Sequence, residues 1–247
     1  MKKILFILLI LSKIMIGQEY QVISKIPKYI NYERIINNYL KAIGGEEELN
    51  KINTIQKKFQ VEILDVPNLN MKGEVLYKQP NLYSSVLEMS ELGQIQSTKY
   101  NGEICVIERI HNNQKTIKNI EGKLLKEKIK DFYPFPILEA KKNEFKVIAI
   151  LKNETTKLYK LYLDDKANKD SLFFFFDAKT HYLTMKQEIG LKTIKTAEYV
   201  DYRKINNVWF PFVEITKIEI DGKIAQESEN KITEILINQE IPLTKFE

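Results

Sequence analysis

Histidine and cysteine, two of the residue types best suited to metal binding and catalysis, are scarce: the chain has two of the first and one of the second. The two histidines, His111 and His181, lie far apart and read as turn or strand-edge residues, and neither stands at a metal-ligand spacing. The acidic run from Asp164 to Asp170 invites comparison with a calcium loop. Its alternate positions are not regularly oxygen-bearing and it lacks the glycine such a loop needs, so it reads as a polar hairpin connection. Glycines occur singly except at Gly44-Gly45, and there is no G-x-S-x-G elbow, which removes the support for nucleotide-binding and α/β-hydrolase readings. A glycosidase carboxylate pair is defined by a distance in the fold, and no local spacing identifies one. No catalytic residue, metal ligand or cofactor site is therefore expected, and the chain reads as a non-enzyme.

Cys105 is the single cysteine and cannot form an intrachain disulfide. Its neighbours Ile104, Val106 and Ile107 make it a small buried hydrophobe. What stands out instead is the content of 13 Tyr, 12 Phe and one Trp, concentrated in β-patterned segments, where rings either fill a core or line an apolar pocket.

Charge narrows the partners. The chain carries +5 at pH 7, but Lys2, Lys3 and Lys13 precede residue 19 with no acidic residue beside them, so removing those three leaves +2. With 38 basic and 33 acidic residues interspersed, no broad basic field exists for a phosphate backbone, and nucleic acid is excluded as an expected partner. Residues 1–18 have the layout of a secretory signal: two lysines, an apolar run from Ile4 to Leu11, and Gly17 near the cleavage point. The run is interrupted by Ser12 and Lys13, short of the roughly 20 apolar residues that span a bilayer. No cysteine lies at this junction to carry an acyl anchor. The expectation is a signal peptide over 1–18 and one domain over 19–247, soluble in the periplasm after cleavage.

The elements that must position any site follow from periodicity. Ile35, Tyr39, Leu40 and Ile43 recur at helical spacing, Asn31 is placed to cap them, and Gly44-Gly45 stops the helix; a short turn over Glu46 to Ile52 follows. From Thr54 the period becomes two, with Phe59, Val61 and Ile63 on one face. Further strands are expected at 71–78, 82–89, 94–100 and 103–110. After a Lys-rich segment with one short helix that Pro134 and Pro136 should end, strands resume at 145–151, 157–163, 171–177, 181–188, 193–202, 208–220 and 223–237. Val213 and Ile215 lie out of phase with Ile218 and Ile220, which places a bulge near Thr216. The run Leu172 to Phe176 is apolar on both faces and needs cover on each. The fold class is mainly β with a few helices: a strongly curved antiparallel sheet, a half-open β-barrel, with helices plugging its concave face.

Several segments carry a family resemblance: Ile35 to Leu49 followed by Lys51-Ile-Asn-Thr54, Gly73 to Asn81, Phe176 to Thr180, Asp201 to Pro211, and Ile235 to Pro242 with Phe246. Together they resemble the bacterial outer-membrane lipoprotein-sorting-like proteins, relatives of the LolA/LolB carriers, over nearly the whole of residues 19–247. The resemblance implies a half-open barrel whose cavity holds acyl chains, and brings no catalytic residues with it. Phe59, Val61, Ile63, Phe174, Phe176, Trp209 and Phe210 are then the candidate walls of an apolar cavity, and Ile35, Tyr39 and Ile43 the candidate helical lid. The expected function is a periplasmic carrier or chaperone for a lipid or lipoprotein acyl chain, with transient envelope proteins as further partners. The alternative is a non-catalytic interaction module assisting an envelope protease or assembly machine.

Overall fold

The computed structural model describes residues 20–66, 69–141, 144–163 and 171–247. The expected signal peptide and the Asp164 to Asp170 connection lie outside them. Strand β1 (Gln21–Ile23) leads to helices α1 (Tyr32–Ala42) and α2 (Glu46–Asn50). A meander follows: β2 (Thr54–Ile63), β3 (Asn70–Lys78), β4 (Leu82–Met89), β5 (Gly93–Tyr100), β6 (Cys105–His111) and β7 (Gln114–Ile120). Helix α3 (Gly122–Lys128), a 3₁₀ turn (Ile129–Phe132) and α4 (Pro136–Ala140) form the central interruption. The second meander comprises β8 (Phe145–Lys152), β9 (Lys157–Leu163), β10 (Ser171–Asp177), β11 (Leu183–Ile189), β12 (Thr193–Ile205), β13 (Val208–Ile220) and β14 (Lys223–Ile237).

All fourteen strands belong to one sheet, in the order β1-β8-β9-β10-β11-β12-β13-β14-β2-β3-β4-β5-β6-β7, and every pairing is antiparallel, as in the β14–β2 and β1–β8 pairs. The last strand of the chain thus bonds to the first long one, joining two meanders edge to edge. The sheet remains unclosed, with β1 and β7 as its edges. Its curvature follows from the core. Ile55 on β2 and Phe145 on β8 belong to one buried cluster together with Ile35, Tyr39 and Ile43 of α1. Seven strand intervals separate β2 from β8; laid flat, these would span about 34 Å. Helix α1, at about 16 Å long, bridges them only because the sheet wraps around it. The architecture is the expected half-open barrel with a helix seated in its hollow.

Local chemistry accounts for the helix ends. Asn31 accepts from the Arg34 backbone N–H at 2.9 Å, satisfying one of the free donors of the first turn. Four apolar side chains of α1, Ile35, Ile36, Tyr39 and Leu40, are buried against the sheet.

Differences from expectation are confined to weakly patterned positions. Strand β7 was not anticipated, because all of it but Ile120 is exposed and its polar sequence has no apolar alternation to read. The three-residue β1 was likewise too short to show a period. The strand expected from residue 181 begins at Leu183, and His181, read as a turn or strand-edge residue, has φ +64 and sits in the turn before β11. Pro136 was expected to end a helix and instead begins α4, where its missing N–H leaves no hydrogen bond unmade. The bulge expected near Thr216 falls two residues later, between Ile218 and Glu219 against β14. Cys105 is wholly buried, as its neighbours implied.

Candidate ligand cavity

Register decides which side chains share the hollow. On β2, Lys57, Phe59, Val61 and Ile63 face Ile235, Ile232, Asn230 and Ser228 of β14 respectively. Ile235 belongs to the cluster built on α1, and Ile232 packs against it, so this row lies on the concave side. The Phe59 ring packs against Gly73 of β3, its partner across the strands: a Cβ added there would sit 2.4 Å from the ring. Phe59, Val61 and Ile63 are half-buried, extending the apolar floor beyond the part covered by the helix.

Phe174, Phe176 and Phe210 lie at the other end of that floor, fully buried beneath the helical layer. Tyr39 meets Phe176 edge-on with ring centres 5.4 Å apart, Phe145 meets Phe174 at 5.8 Å, and Phe135 tilts against Phe210 at 5.8 Å. Burial holds the Tyr39 phenol far above its usual range. Ile35 and Ile43 complete the contact from α1. Wall and lid candidates are thus brought into one surface, its inner half closed by α1 and its outer half open.

Trp209 packs at the edge of the same cluster. It is half-buried at the rim, 6.0 Å from Tyr182, which stacks on Tyr202 at 4.2 Å. Its backbone N–H donates to the Ile43 carbonyl at 2.9 Å, fastening the end of α1 to the start of β13. Asn207 strengthens the junction by donating to Glu48 at 3.0 Å. Gly44 permits the approach: its φ is +136, and a Cβ there would lie 2.7 Å from the Asn207 carbonyl oxygen.

Sequence reasoning missed a polar group on the same floor. Glu214 pairs across the sheet with Tyr199 on one side and Asn230 on the other. It accepts from the Thr216 hydroxyl at 3.2 Å. Lys57 extends its amine to 5.6 Å from the centre of the Phe210 ring. Burial lowers the Lys57 ammonium below its ordinary value, and the Glu214 carboxylate works against that shift. Burial, aided by Glu214, also raises the Tyr199 phenol well above its usual range. The signal was present in the sequence: Lys57 falls in phase with Ile55 and Phe59, and Glu214 in phase with Phe210 and Phe212, charged residues where the apolar alternation requires a core residue.

Two hollows flank the floor. One of about 200 Å³ opens between α2 and α4, among Leu49, Ile52, Tyr77, Tyr133, Phe135 and Leu138. Another of about 430 Å³ lies at the far end of β2 and β3, where Val61 and Met71 meet Gln60, Glu62, Asn70 and Lys231. Among the described residues no group of three or more His, Cys, Asp or Glu is placed to hold a metal ion.

A curved, unclosed antiparallel sheet with an amphipathic helix in its hollow defines a helix-plugged half-barrel. Comparison with solved structures identifies that architecture as the LolA/LolB-like fold. A LolA superfamily protein from Nitrosomonas europaea superposes with a TM-score of 0.57 at 10% identity, covering 88% of this chain and 98% of that one. The crystal structure of a putative outer membrane lipoprotein-sorting protein domain from Vibrio parahaemolyticus gives 0.57 at 10% identity, covering 87% and 97%. No protein-family model and no curated protein sequence matches the chain. The likeness is one of fold. No described helix is long and apolar enough to cross a membrane.

Proposed function

We propose that this protein is a non-catalytic periplasmic carrier or chaperone that holds a lipid or lipoprotein acyl chain in the hollow beneath α1. One observation carries the reading: the concave face bears Phe174, Phe176 and Phe210 under the helix and the half-buried Phe59, Val61 and Ile63 beyond it, interrupted only by the polar Lys57, Glu214 and Asn230 among the residues named above. A chain entering at the open half would lie along Ile63, Val61 and Phe59 before reaching α1. Each methylene it removes from water contributes about 0.8 kcal/mol, so about ten give micromolar-scale affinity before ordering costs. The fold shared with a lipoprotein-sorting domain supports the same reading. Residues 1–18, as an export signal, would deliver the protein to the compartment where such cargo needs shielding.

The test uses N-phenyl-1-naphthylamine, a neutral probe that fluoresces in apolar surroundings, together with mass spectrometry of organic extracts from the purified protein. Saturable probe binding, displaced by lipid and weakened several-fold in Val61→Asp, is expected. Absence of both co-purified lipid and probe binding by the folded protein would overturn the reading. The alternative of an interaction module rests on β7, an exposed sheet edge available for strand addition. It predicts recovery of one stoichiometric protein partner and no lipid.

A further inference from the structure

We propose that Asn230, Glu214 and Lys57 form a polar seat for the ligand's head group, and that it selects an acyl chain bearing a neutral amide or hydroxyl over one ending in a free carboxylate. The inference rests on the carrier reading and sharpens it to a class of ligand. The three residues come from neighbouring strands: β13 contributes Glu214, β14 Asn230 and β2 Lys57. All face the concave side, with Phe59, Val61 and Ile232 on the same floor and the hydroxyl-bearing Tyr199, Thr216 and Ser228 beside them.

The Asn230 side-chain oxygen is enclosed and has no hydrogen-bond partner. A shielded amide oxygen left unpaired is unfavourable, and such groups in native proteins call for a reason. The nearest wall residue across the strand is Val61, which has no donor to offer. Glu214 is held by the Thr216 hydroxyl. A ligand N–H or O–H entering here would supply the donor that Asn230 lacks, while the Lys57 amine can donate to a ligand carbonyl.

Charge sets the selectivity. Glu214 faces Asn230 directly across the β13–β14 pair, and Lys57, opposite Ile235 on β2, puts a basic group on the same face, so the floor offers groups of both signs. A carboxylate head would gain from Lys57 and lose to Glu214 while shedding its hydration shell. A neutral head with both donor and acceptor loses far less on leaving water and satisfies both sides of the seat.

The experiment displaces N-phenyl-1-naphthylamine from the full chain at pH 8 with three twelve-carbon competitors: N-dodecanoylethanolamine, dodecanoate and dodecyltrimethylammonium. The amide should displace the probe at a concentration about tenfold below either ion, the scale of one or two well-made hydrogen bonds. Asn230→Leu and the near-isosteric Glu214→Gln should each erase most of that advantage, read as the ratio of displacing concentrations among the three competitors within each variant. Glu214→Gln keeps the test valid where Asn230→Leu fails to fold. Equal displacement by all three heads, or a preference unchanged in both variants, would overturn the seat and leave the carrier reading standing. A folded protein that binds no probe would overturn both.

Discussion

Lys160 is the residue whose surroundings conflict most with its chemistry. It is 0% exposed on the face of β9 opposite the cavity, with its amine 4.2 Å from the centre of the Phe173 ring and 5.2 Å from that of Phe175. That amine has no hydrogen-bond partner. Burial lowers its pKa from 10.5 to about 7. Between those values the unfolded chain binds the proton that the folded chain has lost, so stability should rise with pH across this window. The destabilisation is complete below about pH 7 and relieved above 10.5. Lys160→Met is expected to stabilise by about 1–3 kcal/mol near neutral pH and to flatten that dependence; urea midpoints from pH 6 to 10 would show it, and an unchanged slope would refute it. Gly73 offers an opposite case, since a Cβ there meets both the Phe59 ring and the Val86 carbonyl oxygen at 2.5 Å or less. Gly73→Ala should cost about 1–3 kcal/mol as strand and ring move apart, whereas the double variant Gly73→Ala with Phe59→Ala should lose less than the sum of the single changes. Strict additivity would refute the contact.

Among the elements, α1 is a lid with an unequal grip. Its C-terminal end is fastened by the Trp209 N–H to the Ile43 carbonyl and by the close packing of Gly44 on Asn207. Its N-terminal end is held chiefly by side-chain burial and the Asn31 cap. Opening should therefore swing the Tyr32 end outward about the Gly44 end. Gly44→Ala breaks the pivot, because a side chain at φ +136 is strained and its Cβ would press on Asn207. It should cost about 1–3 kcal/mol in stability and speed probe entry several-fold in stopped-flow fluorescence; slower or unchanged entry would argue against α1 as the gate. The next junction is held by Asn238, at φ +57, whose side chain accepts from the Asn53 N–H at 2.7 Å and donates to the Lys51 carbonyl at 3.0 Å. Asn238→Gly retains the backbone freedom but removes both hydrogen bonds, so any stability lost measures the side-chain bridge itself. About 1–2 kcal/mol is expected.

At the scale of the molecule, the core is unevenly distributed along the sheet. The cluster on α1 draws on β2, β3, β8 to β11, β13 and β14, while Tyr100, Cys105, Ile120 and Phe132 form a separate small cluster under α3 and its 3₁₀ turn. Strand β7 has a free edge and mostly exposed side chains. Amide exchange should therefore be fastest in β7 and β1 and slowest in β9, β10 and β13, where burial surrounds the hydrogen bonds. Protection of β7 equal to that of β10 would show that something else guards this edge.

Local pattern by itself determined α1, its cap at Asn31, its stop at Gly44-Gly45 and most long strands, because each depends on side-chain spacing within a few residues. It also placed Phe59, Val61 and Ile63 on one face and marked the Leu172 to Phe176 run as needing cover on both sides, of which Phe173 to Phe176 are buried. Exposed β7 was illegible for the same reason: backbone pairing with β6 makes it a strand, and hydrogen bonds leave no trace in hydropathy. Only tertiary structure decided that β14 would bond to β2, drawing the hollow around α1, setting Glu214 beside Asn230 and putting Lys57 on the same face. Those residues are 16 to 173 positions apart in the chain, and no local periodicity relates such positions. Their juxtaposition comes from register, which is set by the whole sheet packing on one core.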